Sequence, residues 1–121
     1  MFVLLTAPAA YQGLQVQPRL LNPEEVAIQQ AAQWLRTQPA GFPKVVATHV
    51  WFYYFYQLEW TPQQSWTSPP PPDVMAHGTV VVWDKHYSEW YGIHRDSLRE
   101  DARWIELAQF GSGQVIIFQR R

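Results

Sequence analysis

The feature that most constrains this chain is the run from residue 78 to residue 94. Val80, Val81, Val82 and Trp83 are continuously apolar, and the run then turns polar at Asp84, His86, Tyr87, Glu89 and His94. Apolar, β-branched residues without alternation read as a strand covered on both faces, the pattern of a central strand in an α/β sheet. Open α/β sheets present their ligands beyond the carboxyl ends of such strands. The polar end of this run is therefore where a site is expected.

The elements around it follow from local pattern. Asn22, Pro23 and Glu25 form a capping-box start, with Leu21 and Val26 placed for a hydrophobic staple and Glu24 and Glu25 suited to the helix dipole. Ile28, Ala31, Ala32 and Leu35 then share one face, which predicts a helix over 23–37 of structural character. Residues 44–48 are a short β-branched strand. The aromatic stretch that follows fits a strand by composition, but Trp51, Tyr54, Phe55 and Leu58 keep helical spacing. A strand unbroken from 44 to 58 would also be long for a small domain. The spacing favours a break at His49 and a short helix over 50–58.

Residues 59–77 read as a Pro-rich loop, with the four prolines 69–72 a stiff polyproline II connector rather than a recognition ligand. A loop over 87–94 and a charged helix over 95–102 come next. Trp104, Glu106, Ala108 and Phe110 alternate with Ile105, Leu107 and Gln109, and after a turn at 111–113 the chain returns as a strand over 115–118. The predicted fold is α/β: a compact mixed sheet with flanking helices and a C-terminal β-hairpin. It occupies one domain over 16–121, after an apolar segment over 1–15. That segment is either a first strand or the end of a membrane helix, being far short of the roughly 20 residues a span needs.

Composition excludes several functions. The 121 residues contain no cysteine, which removes disulfides, zinc–cysteine sites and thiol nucleophiles. Nine Lys and Arg stand against ten Asp and Glu with no basic block, so no nucleic-acid partner is expected. The 7 Trp, 6 Tyr and 6 Phe build a core by default, and could otherwise line a sugar-binding cleft or sit at a membrane boundary.

If strands 44–48 and 79–83 are parallel neighbours, His49, Asp84 and His86 converge on one crevice. A carboxylate between two imidazoles can hold a metal with an open position, or work as an acid–base pair in which Asp84 orients a ring. Glu89, His77 and His94 could join it. The same residues also have plain structural roles: an Asp at a strand end caps the next turn, and a His among aromatics is a hydrogen-bonded core residue. No zinc-protease HExxH, paired HxH or nucleophile elbow is present. The expected ligand-binding set is His49, Trp51, Asp84, His86, Tyr87 and Tyr91, with no catalytic residue, no metal and no cofactor. Trp51, Tyr53, Tyr54, Trp60, Trp66, Trp83, Trp90 and Tyr91 surround this region in sequence, and a plain aromatic core accounts for most of them.

In order, the Pro23, Glu24, Glu25 opening, the run from Ala31 to Leu35, the run from Val45 to Trp51, residues 78–87 with Tyr91 to Ile93, and the closing hairpin from Phe110 to Phe118 form a wider pattern. It resembles the extracytoplasmic C-terminal domain of bacterial multi-spanning glycosyltransferases related to protein O-mannosyltransferases. The resemblance covers about residues 16–120 and rests on the order of weak motifs. In that family the catalytic acid precedes this domain, so none is carried over. The resemblance implies an accessory domain outside the membrane that caps the active site or helps bind the acceptor or lipid-linked sugar. Its implied partner is the membrane-embedded glycosyltransferase portion, and residues 2–10 become the exit of a last membrane helix. The rival reading is a small stand-alone enzyme or metal-binding protein built on His49, Asp84 and His86.

Overall fold

A computed structural model describes residues 20–39, 41–56 and 69–121. The first helix, α1, spans Pro23–Arg36 and starts with the expected capping box. The Asn22 side chain accepts the Glu25 amide at 2.8 Å, and the Glu25 carboxylate accepts the Asn22 amide at 3.0 Å. Two amides without a partner inside the helix are thus satisfied reciprocally. Ala27, Ile28, Ala31, Ala32 and Leu35 are buried along its inner face.

Four strands follow: β1 (Val45–Ala47), β2 (Val80–Asp84), β3 (Trp104–Phe110) and β4 (Val115–Arg120). They form one sheet in the order β1-β2-β4-β3. β1 runs parallel to β2, and β4 is antiparallel to both β2 and β3. The fold is therefore α/β, a mixed sheet with helices and a C-terminal hairpin. Every residue of β2 is buried, as its continuous apolar run requires.

Alternation divides the core into two layers. Val80, Val82, Val115 and Ile117 face α1 and Phe52 of the second helix, α2 (Val50–Tyr56). Val81, Trp83, Ile116 and Phe118 face Met75, Ile93, Trp104 and Leu98 of α3 (Arg95–Glu100). In β3 the expected unbroken alternation gives way to a bulge. Glu106 pairs with Phe118 and Ala108 with Ile117, leaving Leu107 without an opposite residue. The extra residue reverses the faces, so Trp104 packs in the α3 layer while Leu107 and Phe110 pack in the α1 layer.

α1 and α3 stop slightly earlier than the periodicity predicts. α3 ends at Glu100 because Asp101 turns extended (φ −90°, ψ 117°) and its carboxylate accepts the Arg103 amide at 2.9 Å. Within the expected loop, Pro71 is extended (φ −59°, ψ 144°) as predicted, but Pro72–Val74 close a single 3₁₀ turn. The apolar segment 1–15, the rest of the expected second helix, Trp60 and Trp66 lie outside the described residues. No helix among the described residues is long and apolar enough to cross a membrane.

One glycine seats α1 on the sheet. Gly111, at the hairpin turn, has φ +60°, and a Cβ there would come within 2.8 Å of the Ala27 Cβ. Only glycine permits both the backbone and the approach. The contact holds the first turns of α1 near the end of the sheet where Val115 pairs with Asp84.

Candidate functional site at the carboxyl edge of the central strands

Because β1 and β2 are parallel neighbours, the residues after each leave the sheet at one edge. Asp84, the last residue of β2, is wholly buried. Its Oδ1 accepts the Thr48 hydroxyl at 2.8 Å and the Ser88 hydroxyl at 3.2 Å, and its Oδ2 accepts the Tyr87 amide at 2.7 Å. Ser88 Oγ in turn accepts the Asp84 amide at 2.9 Å and lies 2.8 Å from Thr48 Oγ1. Asp84 thus caps the turn after β2 and ties it to the end of β1. It holds its neighbours, which is the turn-capping role among those the sequence offers it.

His49 breaks β1 from α2 by acting as a helix N-cap. Its carbonyl accepts the Phe52 amide at 3.0 Å, and its ring Nδ1 accepts the Trp51 amide at 3.3 Å. An imidazole nitrogen here does the work usually done by a Ser or Asp oxygen. With the Nδ1 lone pair engaged, the neutral ring carries its proton on Nε2. The residue is only 3% exposed, and its buried Nε2 has no hydrogen-bond partner among the described residues. It points toward Glu24 Oε1 at 3.6 Å, beyond hydrogen-bond range.

Glu24 is the residue that sequence reasoning missed as a site member. The capping box uses only Glu25, which leaves the adjacent Glu24 carboxylate in the first turn of α1, at the positive end of its dipole. His86 Nδ1 lies 3.0 Å from its Oε1 and 3.3 Å from its Oε2, across 62 residues of sequence. One ligand atom each from Glu24, His49 and His86 lies within 4.8 Å of the other two. Tyr87 completes the wall: His86 stacks on it at 4.0 Å between centroids, and His49 meets it edge-on at 5.0 Å.

Of the expected set, His49, His86 and Tyr87 come together, and Asp84 lies beneath them as scaffold. Trp51 contributes its backbone amide, while its ring packs on Tyr54 and Phe55 in the aromatic cluster of α2. Tyr91 sits in the following turn against Trp90, which is 77% exposed. Glu89 and His94 form a separate pair at 3.4 Å beside Trp83, on the α3 layer. Burial raises the Glu89 pKa, but bonds from Trp83 Nε1, the Arg95 amide and His94 outweigh it and leave it lowered. His77 is exposed. The large buried aromatics Phe52, Trp83, Trp104 and Phe118 are core.

Comparison of the chain with protein-family models, with curated proteins and with solved structures returned no match.

Proposed function

We propose that this domain is a non-catalytic accessory module of a membrane glycosyltransferase. It holds a sugar of the acceptor or of the lipid-linked donor at the Glu24, His86 and Tyr87 edge. The supporting observation is the stacked His86–Tyr87 pair set beside the Glu24 carboxylate. Ring faces take the apolar C–H surface of a sugar, and a carboxylate accepts its hydroxyl protons. The link to a glycosyltransferase rests on the order of the sequence motifs. Catalysis built on His49, Asp84 and His86 has less support, since the Asp84 oxygens already accept the Thr48 and Ser88 hydroxyls and the Tyr87 amide.

The test is an amide NMR titration of chelator-treated protein with monosaccharides and with a polyprenyl-phosphate sugar. Shifts confined to Glu24, His86, Tyr87 and their neighbours, lost in Tyr87→Ala, are expected. Absence of any shift with all of these ligands would remove the reading. Release of free sugar from the donor by the domain alone would overturn its non-catalytic part.

A further inference from the structure

We propose that Glu24, His49 and His86 bind one Zn²⁺ ion, with a fourth coordination position left open toward solvent. The first support is spacing. Zinc bonds to N and O of roughly 2.0–2.2 Å place the donors of a tetrahedral site about 3.3–3.6 Å apart. Glu24 Oε1 stands 3.0 Å from His86 Nδ1 and 3.6 Å from His49 Nε2, and all three groups offer a ligand atom within 4.8 Å of the others, so side-chain movements of about an ångström complete the geometry. The second support is independent of spacing. His49 Nε2 is a buried polar atom with no hydrogen-bond partner among the described residues, aimed at the carboxylate, and such atoms are uncommon enough to need a cause. An ion at the centre of the three groups supplies that partner.

Exposure gives the site its direction. The His49 side chain is 4% exposed, whereas those of Glu24 and His86 are 28% and 56% exposed. The ion would enter past Glu24 and His86, settle against His49, and keep its open position at the mouth. Two imidazoles with one carboxylate suit zinc, whereas calcium and magnesium require a shell of oxygens. Asp84 is excluded from the ligand set because its oxygens already accept three hydrogen bonds.

One contact opposes the ion and gives it a signature. Coordination through Nε2 moves the ring proton to Nδ1, which faces the Trp51 amide at 3.3 Å. That amide must release His49, whereas zinc-binding histidines ordinarily donate their second nitrogen to an oxygen. The mismatch costs about tenfold in affinity relative to a carbonyl-backed ligand. It also means that zinc binding must disturb the first turn of α2.

The experiment needs no sugar, so it stands or falls separately from the binding role proposed above. Tag-free full chain, stripped with chelator, is titrated with Zn²⁺ against a chromophoric competitor and then with Co²⁺. Expected are one equivalent of zinc, the intense visible absorption of four-coordinate cobalt, and movement of the Trp51 amide in the ¹H–¹⁵N spectrum. Glu24→Gln and His86→Ala should each weaken binding by at least about tenfold, and His94→Ala should leave it unchanged. Substoichiometric binding by the parent chain, equal affinity in both cluster variants, or a stationary Trp51 amide in the zinc-loaded protein would each overturn the proposal. If either variant unfolds, the cobalt spectrum and Trp51 amide of the parent chain decide.

Discussion

Two polar clusters share the carboxyl edge of β1 and β2, and they differ in how completely they satisfy themselves. Around Asp84, both hydroxyls and the Tyr87 amide find acceptors within 3.2 Å, and the carboxylate is wholly buried. Around Glu24, the carboxylate meets His86 but stops 3.6 Å short of the buried His49 Nε2. The chain passes from one cluster to the other in a single step at Thr48–His49. A closed network specifies structure, whereas one with an orphaned donor retains capacity for a ligand. Saturation, rather than residue type, separates scaffold from site here.

Mutations that remove one member of each cluster test that contrast most strongly. Asp84→Ala leaves Thr48, Ser88 and the Tyr87 amide without their acceptor, and should destabilise the protein by about 3 kcal/mol in urea unfolding. A folded Asp84→Ala protein of parental stability that has lost its ligand would reverse the assignment of the two clusters. His49→Asn should cost only about 1 kcal/mol, because asparagine is a strong N-cap for the Trp51 amide although it leaves part of the imidazole volume empty. The same variant should no longer bind zinc. Glu24→Gln and His86→Ala lie further out and should change stability by no more than about 0.5 kcal/mol. A large loss of stability in either would make the open cluster a structural one.

The parts of this contrast legible in sequence are those set by local pattern. The capping box at Asn22 and Glu25, the covered β2 and the helical spacing after His49 each follow from neighbours a few residues apart. Parallel pairing of β1 with β2 was enough to bring His49 and Asp84 to one edge. Glu24 was not legible, because its approach to His86 depends on how α1 sits on the sheet. That seating involves Gly111 against Ala27, a contact between residues distant in the chain. Both roles of Asp84 were visible, and the choice between them needed the position of Thr48, 36 residues away. The bulge at Leu107 was likewise hidden, since Trp104 and Phe110 alternate regularly in sequence yet serve opposite layers.

The smallest effect concerns a carboxylate outside both clusters, and it sets the background for any acid titration of them. A side-chain hydrogen bond from Arg103, aided by the Arg103 amide, lowers the Asp101 pKa from 3.8 to about 2. A depressed folded-state pKa contributes stability in full above the unfolded value and loses it as pH falls through the folded one. The contribution of Asp101 should therefore be complete above pH 3.8 and disappear toward pH 2. Asp101→Asn should flatten this part of the curve of urea midpoint against pH. Because Asp101 and Arg103 meet at the surface, that part should also shrink in high salt. Loss of stability on acidification that survives the substitution would belong to the other carboxylates held below their ordinary range, Glu89 and Glu106. Superimposable curves for Asp101→Asn and the parent chain would show that the Arg103 pair contributes nothing measurable.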